Sequence, residues 1–102
     1  PVLRREQLRL AHLDVLERLA QMAFSQGQYG ACAGICQRIL ARDNCREDVH
    51  CRLMRCYSRQ GQQHLALRQY QACLKALADE IGVEPLASTR LLADQIRRRE
   101  QV

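Results

Sequence analysis

A 34-residue echo constrains this chain more than any other feature: Gln26-Gly27-Gln28-Tyr29 returns as Gln60-Gly61-Gln62-Gln63. The flanks keep the same register, with Arg18 and Leu19 aligned to Arg52 and Leu53, Cys32 to Ala66, Cys36 to Tyr70, Ile39 to Cys73 and Leu40 to Leu74. A period of this length marks a two-helix unit that cannot bury its apolar face alone and stacks on the next unit to do so.

The register is that of a tetratricopeptide repeat. Leu16, Leu19, Ala20 and Ala23 fill the packing positions of the first helix in one unit, and His50, Leu53, Met54 and Tyr57 fill those of the next. Small residues follow each glycine turn where the helices cross, at Cys32 and Ala66, with Cys36 and Tyr70 one turn further on. The fold class this predicts is all-α: a right-handed superhelix of antiparallel helix hairpins, tetratricopeptide-repeat-like, with about five helices, the last a C-terminal cap. One domain fills residues 1–102, with repeat units over about 13–46 and 47–80 and the capping helix over about 86–100.

Composition agrees. With 102 residues, two prolines and five glycines, the chain suits one modest helical core. Its apolar stretches are short and interrupted by Arg, Gln or Asp, which excludes a membrane span and predicts a soluble cytoplasmic protein. The net charge of +5 invites a nucleic-acid reading, but basic and acidic residues are interleaved along every helix. Fifteen of the sixteen basic residues are Arg, which reflects a GC-rich genome more readily than phosphate recognition. The aromatics Phe24, Tyr29, Tyr57 and Tyr70 fall at packing sites rather than on a base-stacking platform.

Six cysteines suggest a disulfide scaffold at first, yet such scaffolds are rich in loops and this pattern is helical. Cys32, Cys36 and Cys73 fall on packing positions, where thiols serve as small hydrophobes. Cys45, Cys51 and Cys56, with His50 and His64, are the residues from which a zinc or redox site would have to be built. The paired C-x-x-C spacing of structural zinc is missing, so reduced cysteines without metal or other cofactor are expected. His50 takes the large packing position of Leu16 and is expected to be a hydrogen-bonded structural histidine. His12 and His64 have no nucleophile-and-acid companions, and no phosphate loop is present, so no catalytic residues and no enzyme activity are expected.

Periodicity predicts a first helix from about Leu3 to Ser25, with Leu13, Leu16, Leu19, Ala20, Ala23 and Phe24 inward and an Asp14–Arg18 pair outward. A second helix follows from Tyr29 to Arg42, bearing Cys32, Cys36, Ile39 and Leu40. Asn44 is the expected N-cap of a third helix reaching about Arg59, with Glu47 closing a capping box. A fourth helix from about Gln63 to Asp79 turns Leu67, Tyr70, Leu74 and Leu77 inward and ends at a left-handed Gly82, with Glu84 extended before Pro85. The last helix, from Leu86 or Thr89 to Arg99, is expected to bury Leu91, Leu92 and Ile96 and to pair Asp94 with Arg98.

Two segments carry a more specific resemblance. The run from Ile39 to Met54, with its core Arg46-Glu47-x-x-His50-x-x-Leu53-Met54, is similar to the bacterial transcriptional activator domain. So are Ala66-Leu67-Arg68-Gln69-Tyr70, Glu80-Ile81-Gly82-Val83-Glu84-Pro85 and Thr89-Arg90. This is the helical domain of Streptomyces antibiotic regulatory protein-type activators and related large regulators. The resemblance covers nearly the whole chain. It departs at Leu86-Ala87-Ser88, in place of the usual Ser-Pro-acidic step, and at Ala93, where an aromatic residue is common.

The resemblance implies a regulatory, protein-interaction and oligomerisation domain that packs beside a winged helix-turn-helix DNA-binding domain of the same polypeptide. It further implies a possible homodimer and contacts with RNA polymerase made through the full-length protein. The helical units take up the sequence, leaving no room for that DNA-binding module, so a fragment of a longer regulator is expected, touching DNA only through the missing part. Stacked hairpins expose a curved surface lined by the first helix of each pair, and Asp14, Glu17, Gln21, Asp48, Cys51, Arg55 and Ser58 are its candidate partner-contacting residues. For any single one of them, solvating the domain is the more ordinary role. The alternative reading is a free-standing tetratricopeptide-like adaptor that binds a peptide or protein partner; a third is direct DNA binding by Arg97, Arg98 and Arg99.

Overall fold

Two turns built alike, 34 residues apart, organise the chain in a computed structural model that describes residues 2–102 and side chains from residue 4 onward. Pro1, the first residue of the expected single domain, lies outside the described residues. At the first turn the Gln28 amide donates to the Ala23 carbonyl and the Gly27 amide to that of Phe24. At the second, Gln62 donates to Tyr57 and Gly61 to Ser58. Both are Schellman closures, which need a left-handed residue after the helix. Gly27 and Gly61 supply it, with φ of +73° and +76°. The sequence echo is therefore a repeated hydrogen-bonding pattern.

The helices are α1 (Val2–Ser25), α2 (Tyr29–Arg42), α3 (Glu47–Arg59), α4 (Gln63–Ile81) and α5 (Ala87–Arg97), and the described residues include no strand. Consecutive helices pack on one another, and α5 also reaches α3. The protein is thus all-helical and tetratricopeptide-like, as expected. α3 belongs to both parts of the core. Val49, Leu53 and Cys56 join Leu13, Leu16, Ala20 and Ala23 of α1 and Cys32, Cys36 and Ile39 of α2. Met54, on another side of α3, joins Ala66 and Tyr70 of α4 and Leu92, Ala93 and Ile96 of α5. Leu67 and Leu74 of α4 are half-buried against this second group. The small Ala93 is fully buried there.

The thiols at the helix crossings behave as apolar groups. Cys32, Cys36, Cys56 and Cys73 are buried and unpaired. Burial, reinforced by the neighbouring Cys32, pushes Cys36 up to about 12. Burial acts likewise on Cys73, also to about 12, and pushes Cys56 higher still. The Cys32 thiol donates to the Ala20 carbonyl across the α1–α2 crossing. Among the described residues no three His, Cys, Asp or Glu side chains are arranged to hold a metal ion. No helix among them is long and apolar enough to cross a membrane.

Several expectations are corrected. Leu19 is 44% exposed and Leu91 53% exposed, so neither belongs to the core. Leu19 sits to the flank of the Leu13–Leu16–Ala20–Ala23 stripe, and Leu91 lies across the helix from Leu92 and Ile96. α4 continues past Asp79 to Ile81, and α5 ends at Arg97 rather than Arg99. Arg99 instead takes a left-handed φ of 56° in a closure where Glu100 donates to Gln95 and Arg99 to Ile96. Asp94 pairs with Arg97, and Arg98 turns to Glu100. Asn44 does not cap α3: Arg46 holds that position, and the capping box is not formed.

Glycine substitutions separate the two conformational roles. Gly34 lies inside α2 with open space around its Cβ position. Gly34→Ala is expected to raise stability by about 0.5–1 kcal/mol, since alanine favours helix. Gly61→Ala, equally unhindered but at positive φ, is expected to lower it by about 1–2 kcal/mol. Urea unfolding of both variants checks the opposite signs.

Candidate functional site

Glu47, freed from the capping box, spans the gap between α3 and α5. Its carboxylate accepts the Leu86 amide at 2.8 Å and the Thr89 hydroxyl. Thr89 is 1% exposed, and its oxygen also lies 3.3 Å from the Cys51 Sγ. A box would have satisfied only the amide of its own N-cap. The cross-element arrangement satisfies an orphan donor at the start of α5 and a buried hydroxyl together, and it brings a negative charge to a helix N-terminus.

One residue earlier, Arg46 ties α1 to α3. Its guanidinium donates to Glu17 at 2.7 Å and to Asp48 at 3.1 Å. These hydrogen bonds, to Asp48 and then to Glu17, push Arg46 further up from its ordinary value. Burial alone would raise the Asp48 carboxyl, but the hydrogen bonds and charge of Arg46 outweigh it and hold Asp48 below the usual carboxylate range. His50, 3% exposed, is satisfied at both ring nitrogens. The Gln69 amide donates to Nδ1 at 2.8 Å, leaving Nε2–H to donate to the Asn44 carbonyl at 2.8 Å. This is the structural histidine the sequence register predicts.

Beside these contacts opens a groove of about 450 Å³ between α1, α3 and the start of α5. Phe24 comes from α1; Glu47, Asp48, Cys51, Arg52 and Arg55 come from α3; Leu86, Ser88 and Thr89 come from the entry to α5. Arg52 lies 5.8 Å from the Phe24 ring centroid, and Arg59 covers the same ring at 5.6 Å. Both distances are within cation–π range.

The groove gathers Asp48, Cys51 and Arg55 from the candidate partner-contacting residues. Glu17 adjoins them through Arg46. Asp14 is instead exposed on α1 opposite Arg18, at 3.9 Å, and Gln21 is exposed on the same helix. Ser58 lies in a separate depression with Arg59, Gln63 and the C-terminal residues. Sequence reasoning missed Phe24, Glu47, Arg52, Leu86, Ser88 and Thr89 as groove residues. A signal was available for two of them. Glu47 and Thr89 belong to the two separated motifs, and a hydrogen bond joins them.

Removing the Thr89 hydroxyl strips the Glu47 carboxylate of one of its two donors. Thr89→Val is expected to cost about 1–3 kcal/mol in urea unfolding and to leave helix content unchanged by circular dichroism. The depressed Asp48 value carries a defined sign. Its stabilisation is complete above the ordinary carboxylate value of 3.8 and is lost as pH falls through the lowered folded value. Below about pH 4, Asp48→Asn is therefore expected to lose stability less steeply than the parent chain, as followed by thermal melting across an acid series.

Comparison with known proteins agrees with this architecture. A family model described as bacterial transcriptional activator domain matches residues 2–97. No curated protein and no solved structure gives a significant match.

Proposed function

The chain belongs to the bacterial transcriptional activator domain family, and from that premise we propose that it is the regulatory and protein-interaction domain of a cytoplasmic transcription activator. Its family is one of regulatory domains rather than enzymes. In this reading the domain packs beside a winged helix-turn-helix domain of the same polypeptide, contributes to dimer formation and presents a surface to the transcription machinery. The family match over nearly the whole chain carries the proposal.

The surface of α1 supports it. Leu8, Val15, Leu19 and Met22 are 59%, 53%, 44% and 57% exposed and follow one another at steps of seven, four and three residues. Such spacing places them in a single apolar stripe, beside the core stripe rather than within it. A row of exposed apolar side chains along one helix suits a packed neighbour, whether the DNA-binding domain or a second copy. The distribution of charge argues against the Arg-rich end of α5 as a DNA reader, because Arg97 is paired with Asp94 at 2.8 Å and Arg98 with Glu100 at 2.5 Å.

Fluorescence anisotropy with duplex DNA across a salt series tests the division of labour. The chain alone is expected to show no specific binding, and a polypeptide extended upstream by about one domain length is expected to bind specifically. Specific binding by this chain alone, with a steep salt slope, would overturn the proposal.

A further inference from the structure

Two arginines in the groove are left without an anionic partner. Among the described residues, neither Arg52 nor Arg55 makes an ion pair. The carboxylates beside them are already engaged, Asp48 by Arg46 and Glu47 by the Leu86 amide and the Thr89 hydroxyl. Arg52 and Arg55, three residues apart on α3, lie on neighbouring positions of one helix face. Arg52 is also braced over the Phe24 ring at 5.8 Å, which holds a guanidinium in place with its polar edge available.

An apolar wall accompanies these donors. Phe24, half-buried on α1, and Leu86, 63% exposed at the entry to α5, both line the groove. Ser88 adds a hydroxyl-bearing side chain to the same lining. A volume of about 450 Å³ accommodates a few side chains of an extended segment rather than a whole folded surface.

We infer that this groove binds an acidic peptide segment of a partner protein, with Arg52 and Arg55 receiving a carboxylate and Phe24 and Leu86 an adjoining apolar side chain. Guanidinium groups match carboxylates as paired donors, which sets the ligand's chemistry. Duplex nucleic acid fits poorly, because a depression of about 450 Å³ admits a few side chains of a flexible segment and not a rigid double helix. The inference rests on the reading of this domain as a protein-interaction module and names the chemistry of one partner.

The test uses two fluorescein-labelled hexapeptides titrated with this chain: Leu-Asp-Glu-Leu-Glu-Asp with a free carboxyl terminus, and its amidated isostere Leu-Asn-Gln-Leu-Gln-Asn. The acidic peptide is expected to bind at least about tenfold more tightly than the isostere. Arg55→Gln should weaken it about tenfold, Arg52→Gln/Arg55→Gln should bring it to the level of the isostere, and Arg38→Gln on the exposed side of α2 should leave it within about twofold. If the double variant fails to fold by circular dichroism, amide shift mapping on the parent chain decides, with changes at Ser88, Thr89 and Arg55 expected from the acidic peptide alone.

Equal binding of the two peptides, wild-type affinity in a folded double variant, or shifts confined to another face would each overturn the inference. Succinate shifting the same resonances without any peptide binding would also overturn it, assigning the groove to small anions. DNA binding by the upstream-extended polypeptide involves neither peptide, so loss of the peptide result alone leaves the regulatory reading standing.

Discussion

The Glu47 carboxylate joins the first turn of α3 to the first turn of α5, and the docking of the last helix depends on that link. Without it, Thr89 would be a buried hydroxyl whose remaining neighbour is the Cys51 thiol, and the Leu86 amide would lose its acceptor. Unsatisfied buried groups cost more than the bonds they replace, so the docking of the last helix is directional as well as apolar. Met54, Leu92, Ala93 and Ile96 supply the apolar part of the same contact. α3 thereby acts as the central element, carrying one core group toward α1 and α2 and another toward α4 and α5.

Charge on α3 is divided by the same geometry. Arg46 takes up Glu17 and Asp48 near the start of the helix, while Arg52 and Arg55, six and nine residues further on, face the groove without acidic partners. The groove is therefore shaped by structural bonds. Once its acids are committed to holding helices together, the positive charge that remains is the part open to a partner. Acids and bases interleaved along every helix can thus coexist with a local preference for carboxylates.

The repeat was legible because its signals are local: glycine at a left-handed position, a small residue at the helix crossing, and a three-and-four spacing of apolar types. His50 was legible for the same reason, its register placing it among core residues where a polar ring must find partners, which proved to be Gln69 and the Asn44 carbonyl. Leu19 and Leu91 were misread because leucine is equally compatible with either side of a helix, and composition alone does not say how wide the buried stripe is. Asp94 was misread because partners three and four residues away were both available.

The sequence by itself determined the five-helix, hairpin-repeat character of the chain and its turns, since each follows from backbone preferences and periodicities that act over a few residues, and its motifs carried the family resemblance. Only the tertiary structure decided what Glu47, Arg46 and Thr89 do. A carboxylate three residues after Asn44 has a local partner within reach, and sequence offers no measure of a competing donor 42 residues away. The groove belongs to the same class. It exists where α1, α3 and the entry to α5 come together, and Phe24, Arg55 and Leu86 become neighbours only after the chain has folded, when burial and hydrogen bonding across helices outweigh local preference.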